Sequence, residues 1–188
     1  MVKYYLFKTE VNKEKDALIS FLTTLNKGEF DIFDIDFKRG YIKTSIDLNQ
    51  ILSPLIPTLT ADLGFKITFI YSHNVKEIAL RALDYAFSRS VTYANLADVV
   101  LEMIVNGNED IKKLITAEFS NLAHDLYLTA RAYINMGLNA VAAANAIYVH
   151  RNTFNYRLNK FISLTGLDIR DFWNATYFNI YLRLQEKN

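Results

Sequence analysis

Two glycines, Gly137 and Gly166, bracket the stretch that most restricts how this chain can fold. A glycine can adopt the left-handed conformation that ends a helix, so helices are predicted over about 121–136 and about 151–165. A short alanine-rich helix lies between them, and a tight turn is expected at Tyr148–Val149. The stretch therefore predicts a short helix, a turn and a longer helix, which is the helix-turn-helix arrangement.

The positive charge of the chain is concentrated near its carboxyl end. The net charge is +1, yet residues 1–124 hold 14 Lys and Arg against 16 Asp and Glu, whereas residues 125–188 hold 7 against 4. Between Leu126 and Leu167 there is no Asp or Glu. A carboxylate in this stretch would repel phosphates, so its absence favours a polyanionic partner.

The predicted helix over 151–165 has one apolar and one polar side. With a turn of about 100° per residue, the apolar side comprises Phe154, Leu158, Phe161 and Ile162. The polar side comprises Asn152, Tyr156, Asn159, Lys160 and Ser163, with Arg151 and Arg157 at its borders. Asn suits adenine edges, Arg and Lys suit guanine edges or phosphates, and Tyr suits a phosphate or a thymine methyl. This pattern indicates a helix that docks on its neighbours and reads a DNA major groove.

The run ANAIYVHRNTFNYRLNKFISLTGLDI, residues 144–169, resembles the C-terminal helix-turn-helix of the PucR/CdaR family of bacterial transcription regulators. The family hallmark is A-x-x-L-x-V-H-R-N-T-x-x-Y-R-L followed by L-T-G. The residues here at those places are Ala144, Ile147, Val149, His150, Arg151, Asn152, Thr153, Tyr156, Arg157, Leu158, Leu164, Thr165 and Gly166. The resemblance extends over about 121–185 and implies a DNA-binding transcriptional regulator with double-stranded DNA as its partner.

The candidate DNA-binding residues lie at the start of the longer helix and along its polar side. They are His150, Arg151, Asn152, Thr153, Asn155, Tyr156, Arg157, Asn159 and Lys160. His150 has two roles open to it, because it can cap the amino end of the helix or contact a phosphate.

The first half of the chain predicts an α+β fold. Strand and helix patterns follow one another as β-α-β-β-α-β and then α, which fits a split βαβ, ferredoxin-like sheet. A hairpin turn is expected at Lys38-Arg39-Gly40, and strand signals disappear after Ser90. We predict a sheet domain over 1–92, connecting helices over 93–120 and an all-α helix-turn-helix domain over 121–188.

PucR/CdaR regulators commonly carry a degenerate GGDEF-like domain before the DNA-binding helices, so the resemblance implies one here. A working cyclase would have carboxylates at the hairpin to hold metal ions, whereas this chain has Phe37-Lys38-Arg39-Gly40. Asp34 and Asp36 share one side of a strand and could touch a metal, but a solvated strand face is the favoured interpretation. We therefore predict no enzyme, no metal and no cofactor.

Composition sets the remaining expectations. The chain has no cysteine, no signal-peptide pattern at its start and no apolar run long enough for a membrane helix, so a cytoplasmic protein that binds no membrane is predicted. Helix-turn-helix proteins usually act as two-fold dimers, which predicts a homodimer, and a small-molecule effector is compatible with the first domain. Two alternatives stay open: an interaction or ligand-sensing module that keeps the helix-turn-helix as a scaffold, and a remnant of a nucleotide-binding enzyme.

Overall fold

A computed structural model of the protein describes residues 2–26 and 28–186. The chain forms two compact units, Met1–Met103 and Ile104–Asn188. The first contains the β-sheet and the second is helical. This arrangement confirms the predicted α+β class, with a sheet domain followed by helices. Every helix in the described part of the chain is too short or too polar to pass through a lipid bilayer.

The first unit is a five-stranded sheet with helices. Its elements are β1 (Lys3–Lys8), α1 (Asn12–Leu25), β2 (Phe30–Asp34), β3 (Arg39–Thr44), α2 (Asn49–Leu63), β4 (Thr68–Ser72), α3 (Glu77–Ser88), β5 (Tyr93–Asn95) and most of α4 (Leu96–Val105). The strand order is β2-β3-β1-β4-β5, and the first four strands are antiparallel to their neighbours. All five residues of β4 are buried, as expected for a strand that is covered on both faces. The predicted split βαβ order is thus confirmed for the first four strands.

A fifth strand corrects the expectation that strands end before Ser90. β5 pairs parallel with β4, and α3 makes the crossover between them. With three residues, β5 is too short to show an alternating pattern, so the pairing with β4 defines it rather than its own sequence. The sheet therefore ends in a parallel edge strand that the sequence pattern does not reveal.

The hairpin between β2 and β3 turns earlier than predicted. Arg39 and Gly40 already belong to β3, so the turn lies before them. Asp36 fixes this turn, because its side chain accepts hydrogen bonds from the backbone N–H groups of Lys38 and Arg39 at 2.8 and 2.9 Å. Gly40 lies within β3 and makes room for the ring of Phe7, because a Cβ at this position would collide with that ring. The prediction of a turn at Lys38-Arg39-Gly40 was wrong by a few residues.

The second unit is a helical bundle with an aromatic core. Its helices are the end of α4, then α5 (Glu109–Phe119), α6 (His124–Asn135), α7 (Ala140–Ala146), α8 (Arg151–Thr165) and α9 (Phe172–Gln185). Phe178 of α9 is fully buried and contacts the rings of Phe119 and Phe161, with centroids 5.1 and 5.0 Å apart. These rings join α5, α8 and α9, so the position of α8 depends on this cluster.

Candidate nucleic-acid interface

Three consecutive helices, α6, α7 and α8, contact one another and form the frame of the site. Gly137 has φ 63°, the left-handed conformation expected of a helix end, and Leu138 follows it with φ 64°. Asn139 then caps α7, because its side chain accepts the backbone N–H groups of Val141 and Ala142. Ala143 and Ala144 are buried, so α7 packs closely through its alanines. A short helix that is weak alone is in this way held by its neighbours.

The turn between α7 and α8 exposes an aromatic ring. Tyr148 has φ 55° and is 96% exposed, while the next N–H, that of Val149, donates to the carbonyl of Ala144 at 3.0 Å. A positive φ is uncommon for a residue with a side chain. The sequence places Tyr148 in the turn, but it does not single out this ring as a surface feature. The only sequence signal for its exposure is that the residues that pack into the domain, Ala144 and Phe154, lie on either side of the turn. Tyr148 itself is then left on the surface.

The apolar side of α8 packs into the bundle as predicted. Phe154, Leu158 and Phe161 are buried. Phe154 lies 6.1 Å from the ring of Tyr133 in α6, and Phe161 contacts Phe178. Since both ends of this side are anchored, the opposite side of α8 is fixed toward solvent.

The polar side of α8 is open to solvent along its length. Its exposed residues are Arg151, Asn152, Thr153, Tyr156, Asn159, Lys160 and Ser163. Tyr156 is 65% exposed. Asn155 and Arg157, which the sequence also assigns to the site, are half-buried at the border of this side. Seven of the nine predicted residues are thus exposed, namely His150, Arg151, Asn152, Thr153, Tyr156, Asn159 and Lys160.

Among the described residues of α8, Arg157 differs from Arg151 and Lys160 because it forms an ion pair within the domain. Its Nε lies 3.3 Å from a carboxylate oxygen of Asp125 at the start of α6, and its side chain is 29% exposed. The sequence could not predict this pair, because Asp125 lies far from Arg157 along the chain. The contact links α8 to α6. It also pairs Asp125, the acid that directly precedes the acid-free stretch, with a cation.

The acid at the other border of this stretch is also paired. Asp168, in the loop between α8 and α9, accepts two hydrogen bonds from the Arg170 guanidinium at 2.7 and 2.6 Å. Burial alone raises the pKa of Asp168, but the hydrogen bonds and charge of Arg170 outweigh it, so the pKa lies below its ordinary value. The carboxylate therefore stabilises the folded loop above its unfolded-state pKa, and this contribution is lost as the pH falls through the folded-state pKa.

His150 is the N-cap of α8. Its Nδ1 accepts the backbone N–H of Asn152 at 3.2 Å. An Nδ1 that accepts a hydrogen bond carries no proton, so the neutral ring holds its proton on Nε2. The capping role that the sequence left open is present in the structure, and the same ring keeps an Nε2–H donor for a second contact.

Replacing His150 by Ala is expected to lower the free energy of unfolding of the helical unit by about 0.5–2 kcal/mol, because the cap is lost. His150→Asn is the matched control, since Asn is a good N-cap and should stay within a few tenths of a kcal/mol of the native protein. Chemical denaturation followed by the fluorescence of Trp173, the only tryptophan, measures both. Equal stabilities for the Ala variant and the native protein would show that the cap contributes nothing.

The acidic pair in the first unit is already engaged by cations. Asp34 lies 2.9 Å from Nζ of Lys15, and Asp36 lies 2.7 Å from Nε of Arg39. Across residues 2–26 and 28–186, no group of three or more His, Cys, Asp or Glu side chains is arranged to hold a metal ion. The side chains of Asp34 and Asp36 thus form ion pairs within the first unit.

The geometry of α6, α7 and α8, with a docked apolar side and an open polar side, is that of a helix-turn-helix domain. Residues 126–184 match the family model described as the PucR C-terminal helix-turn-helix domain. This part of the chain is therefore similar to that domain, and the predicted resemblance to the PucR/CdaR helix-turn-helix is confirmed.

Similar proteins of known name include transcription regulators. The chain is 36% identical over 59 residues to the carbohydrate diacid regulator of Escherichia coli (strain K12), covering 31% of this chain and 15% of that protein. It is 27% identical over 86 residues to the proline-responsive transcriptional activator PutR of Bacillus subtilis (strain 168), covering 46% and 21%. It is 24% identical over 154 residues to the leucine-rich protein of Streptococcus dysgalactiae subsp. equisimilis, covering 74% and 54%. The chain thus spans about half or less of the length of these relatives.

The fold of the chain is similar to that of a solved bacterial regulator. It is the regulator of polyketide synthase expression from Bifidobacterium adolescentis, with a TM-score of 0.52 and 14% sequence identity. The match covers 99% of this chain and 80% of that one. At this level of identity the likeness concerns the fold alone.

Proposed function

We propose that the protein is a DNA-binding transcriptional regulator that inserts α8 into the major groove of double-stranded DNA. The observation that carries this proposal is the exposed, acid-free polar side of α8, held outward by the buried Phe154, Leu158 and Phe161. DNA binding is assigned to residues 121–188, with 93–120 as connecting helices and 1–92 as a degenerate GGDEF-like domain for assembly or sensing.

The proposed contacts follow from side-chain chemistry. Asn152 and Asn159 suit adenine edges, and Lys160 suits a guanine edge or a phosphate. At the start of α8, Arg151 and the Nε2–H of His150 suit phosphates, and Thr153, Asn155, Tyr156 and Arg157 complete the surface. We add Tyr148, whose ring and hydroxyl extend from the turn and suit a backbone phosphate.

Substituting Arg151 or Asn152 by Ala tests the proposal. Loss of a phosphate contact by Arg151→Ala should weaken binding to all sequences and lower the salt slope by about one, whereas Asn152→Ala should cost about 1–3 kcal/mol on the preferred site and relax its preference. Lys113→Ala and Asn121→Ala are matched controls, because both residues are exposed and lie outside the proposed surface. Binding to genomic fragments at two salt concentrations gives both quantities.

One observation favours a second function, an interaction or ligand-sensing module that keeps the helix-turn-helix as a scaffold. Arg157 is engaged by Asp125, which leaves Lys160 and Arg151 as the unpaired Lys and Arg of α8 among the described residues. If neither Arg151→Ala nor Asn152→Ala changes binding while the controls behave alike, the scaffold function replaces the DNA-binding one.

The remaining parts of the proposal concern the cell and the assembly. We propose a cytoplasmic protein without enzymatic activity, because two relatives are named as a regulator and a transcriptional activator and the β2–β3 hairpin lacks a metal-binding carboxylate cluster. A homodimer would present two α8 helices to paired half-sites. A small-molecule effector is included because two relatives are named after a carbohydrate diacid and proline.

A further inference from the structure

In the first unit, within residues 2–26 and 28–103, half of one sheet face lacks a covering helix of that unit. On this face Lys8 of β1 and Arg39 of β3 are cross-strand partners, and both form ion pairs with Asp84 of α3 at 2.5 and 3.1 Å. α3 contacts β1 and β4. It therefore covers the β1–β4 half of this face, and the β2–β3 half next to it stays uncovered.

The opposite face is covered by other helices. Lys15 of α1 reaches Asp34 of β2 at 2.9 Å, and the Tyr5 hydroxyl accepts the backbone N–H of Leu48, just before α2, at 2.8 Å. Tyr5 and Asp34 alternate with the residues that face α3, so they point to the other side of the sheet. The uncovered area is thus confined to one face of β2 and β3 with the adjoining part of β1.

Three aromatic rings occupy this uncovered half. Phe33 of β2 stacks on Tyr41 of β3 with centroids 5.0 Å apart, and Tyr41 contacts Tyr4 of β1 at 6.0 Å. Phe33 is 39% exposed, and the two tyrosines are half-buried. The three rings form one contiguous apolar row beside solvent, and contiguous exposed apolar patches mark interaction sites.

Two opposite charges flank the aromatic row. Asp31 of β2 and Lys43 of β3 are cross-strand partners on the same face, and both are exposed. Within residues 2–26 and 28–186, neither side chain forms a hydrogen bond or an ion pair. The face therefore carries an acid on one strand, a base on the next and aromatic rings beside both.

We propose that this face, made of Tyr4, Asp31, Phe33, Tyr41 and Lys43, binds the same face of a second copy of the chain. A two-fold axis parallel to the strands, between β2 and β3, would place Phe33 against Tyr41 of the second copy. The same axis would place Asp31 of each copy against Lys43 of the other. Aligned packing of two sheets is a common arrangement, and self-complementarity is what a two-fold interface requires.

A single-stranded nucleic acid is the less favoured occupant. Exposed aromatic rings on a sheet can stack on bases, but such sites also line a positively charged groove. Here Lys43 is offset by Asp31, and the charges of Lys8 and Arg39 are balanced by Asp84 together with Asp36. The balanced charge suits a protein surface that pairs with itself.

This inference rests on the proposed function, because it supplies the dimer that binding to two DNA half-sites requires.

Charge exchange tests the interface. In the 188-residue chain, Asp31→Lys alone and Lys43→Asp alone should each raise the dimer Kd about tenfold or more, because like charges then face each other. An equimolar mixture of the two single variants should recover a dimer with nearly the native Kd, since each charge then meets its opposite. Interactions within one chain cannot be restored by mixing, so recovery identifies a contact between copies. Sedimentation equilibrium measures the Kd without DNA.

A second pair of variants tests the aromatic row. Phe33→Glu should weaken the dimer about tenfold or more, whereas Phe37→Glu should leave it unchanged, because Phe37 is 63% exposed in the hairpin and lies outside the row. A chain that stays monomeric up to about 1 mM overturns the proposal, and so does a dimer that tolerates every variant. Binding of oligothymidine without dimerisation, lost in Phe33→Glu and kept in Phe37→Glu, would assign the face to nucleic acid instead. DNA binding by α8 is measured separately, so its failure is distinguishable.

Discussion

Replacing Asn159 by Asp and Lys160 by Glu together is expected to weaken DNA binding about a hundredfold or more, without unfolding the protein. Both side chains are exposed on the polar side of α8, so their replacement disturbs no packing. The change puts two carboxylates into a surface that has none and removes one cation. Like charges brought together at an interface cost several kcal/mol, and about 2.7 kcal/mol corresponds to a hundredfold change.

The control for this variant is Lys113→Glu in α5. It is an exposed Lys in the same unit but outside the proposed surface. Fluorescence anisotropy with a labelled duplex should show little loss for the control and a large loss for the double variant, shrinking as salt is raised. Equal losses for both would mean that only net charge matters, and no loss for either would remove α8 from the interface.

The sequence predicts α8 well because several local signals agree there. His150 begins the helix as a cap and Gly166 ends it at φ 72°, so both bounds are marked by residues with a specific backbone role. Between them Phe154, Leu158 and Phe161 follow the helical period and are all buried. Local propensity and tertiary packing thus point to the same helix, and the candidate surface opposite follows directly.

The elements that the sequence misses depend on contacts between distant parts of the chain. β5 is a strand because Tyr93–Asn95 pair with β4, which no pattern of three residues can indicate. The hairpin turn precedes Arg39 because Asp36 holds the backbone there and because the Phe7 ring lies against Gly40. A glycine after Lys-Arg suggests a turn from sequence alone, but here it makes room for a ring in the neighbouring strand.

The candidate site shows the same division between local and distant effects. Residue types and spacing predict which side of α8 faces outward. They do not reveal that Arg157 pairs with Asp125, or that Tyr148 is nearly fully exposed. Each of these features arises from how α7 and α8 dock on α6, and each changes which side chains are available to a partner.

Truncating Phe161 to Ala is expected to have the largest effect on stability, about 3–5 kcal/mol in the free energy of unfolding of the helical unit. Phe161 is fully buried and packs edge-on against Phe178 at 5.0 Å. Phe178 in turn contacts Phe119 and Tyr181, so the cavity would open in the centre of the aromatic cluster. Denaturant unfolding followed by Trp173 fluorescence measures the loss.

Leu164→Ala is the matched control on the same helix. Leu164 is 66% exposed, so its truncation should change stability by less than about 0.5 kcal/mol. The contrast separates core packing from helix propensity, because both variants place Ala in α8 and Ala is the best helix former. If both variants lost little, the aromatic cluster would not be what holds α8.

The functional consequence of Phe161→Ala follows from what the cluster positions. Phe161 makes no contact with the polar side of α8, so its loss should reduce DNA binding only through the fraction of unfolded molecules. Binding of Phe161→Ala should therefore recover in a stabilising osmolyte, while binding of the Asn159→Asp, Lys160→Glu variant should not. A Phe161→Ala protein that stays folded yet fails to bind would show that the cluster sets the orientation of α8 as well as its stability.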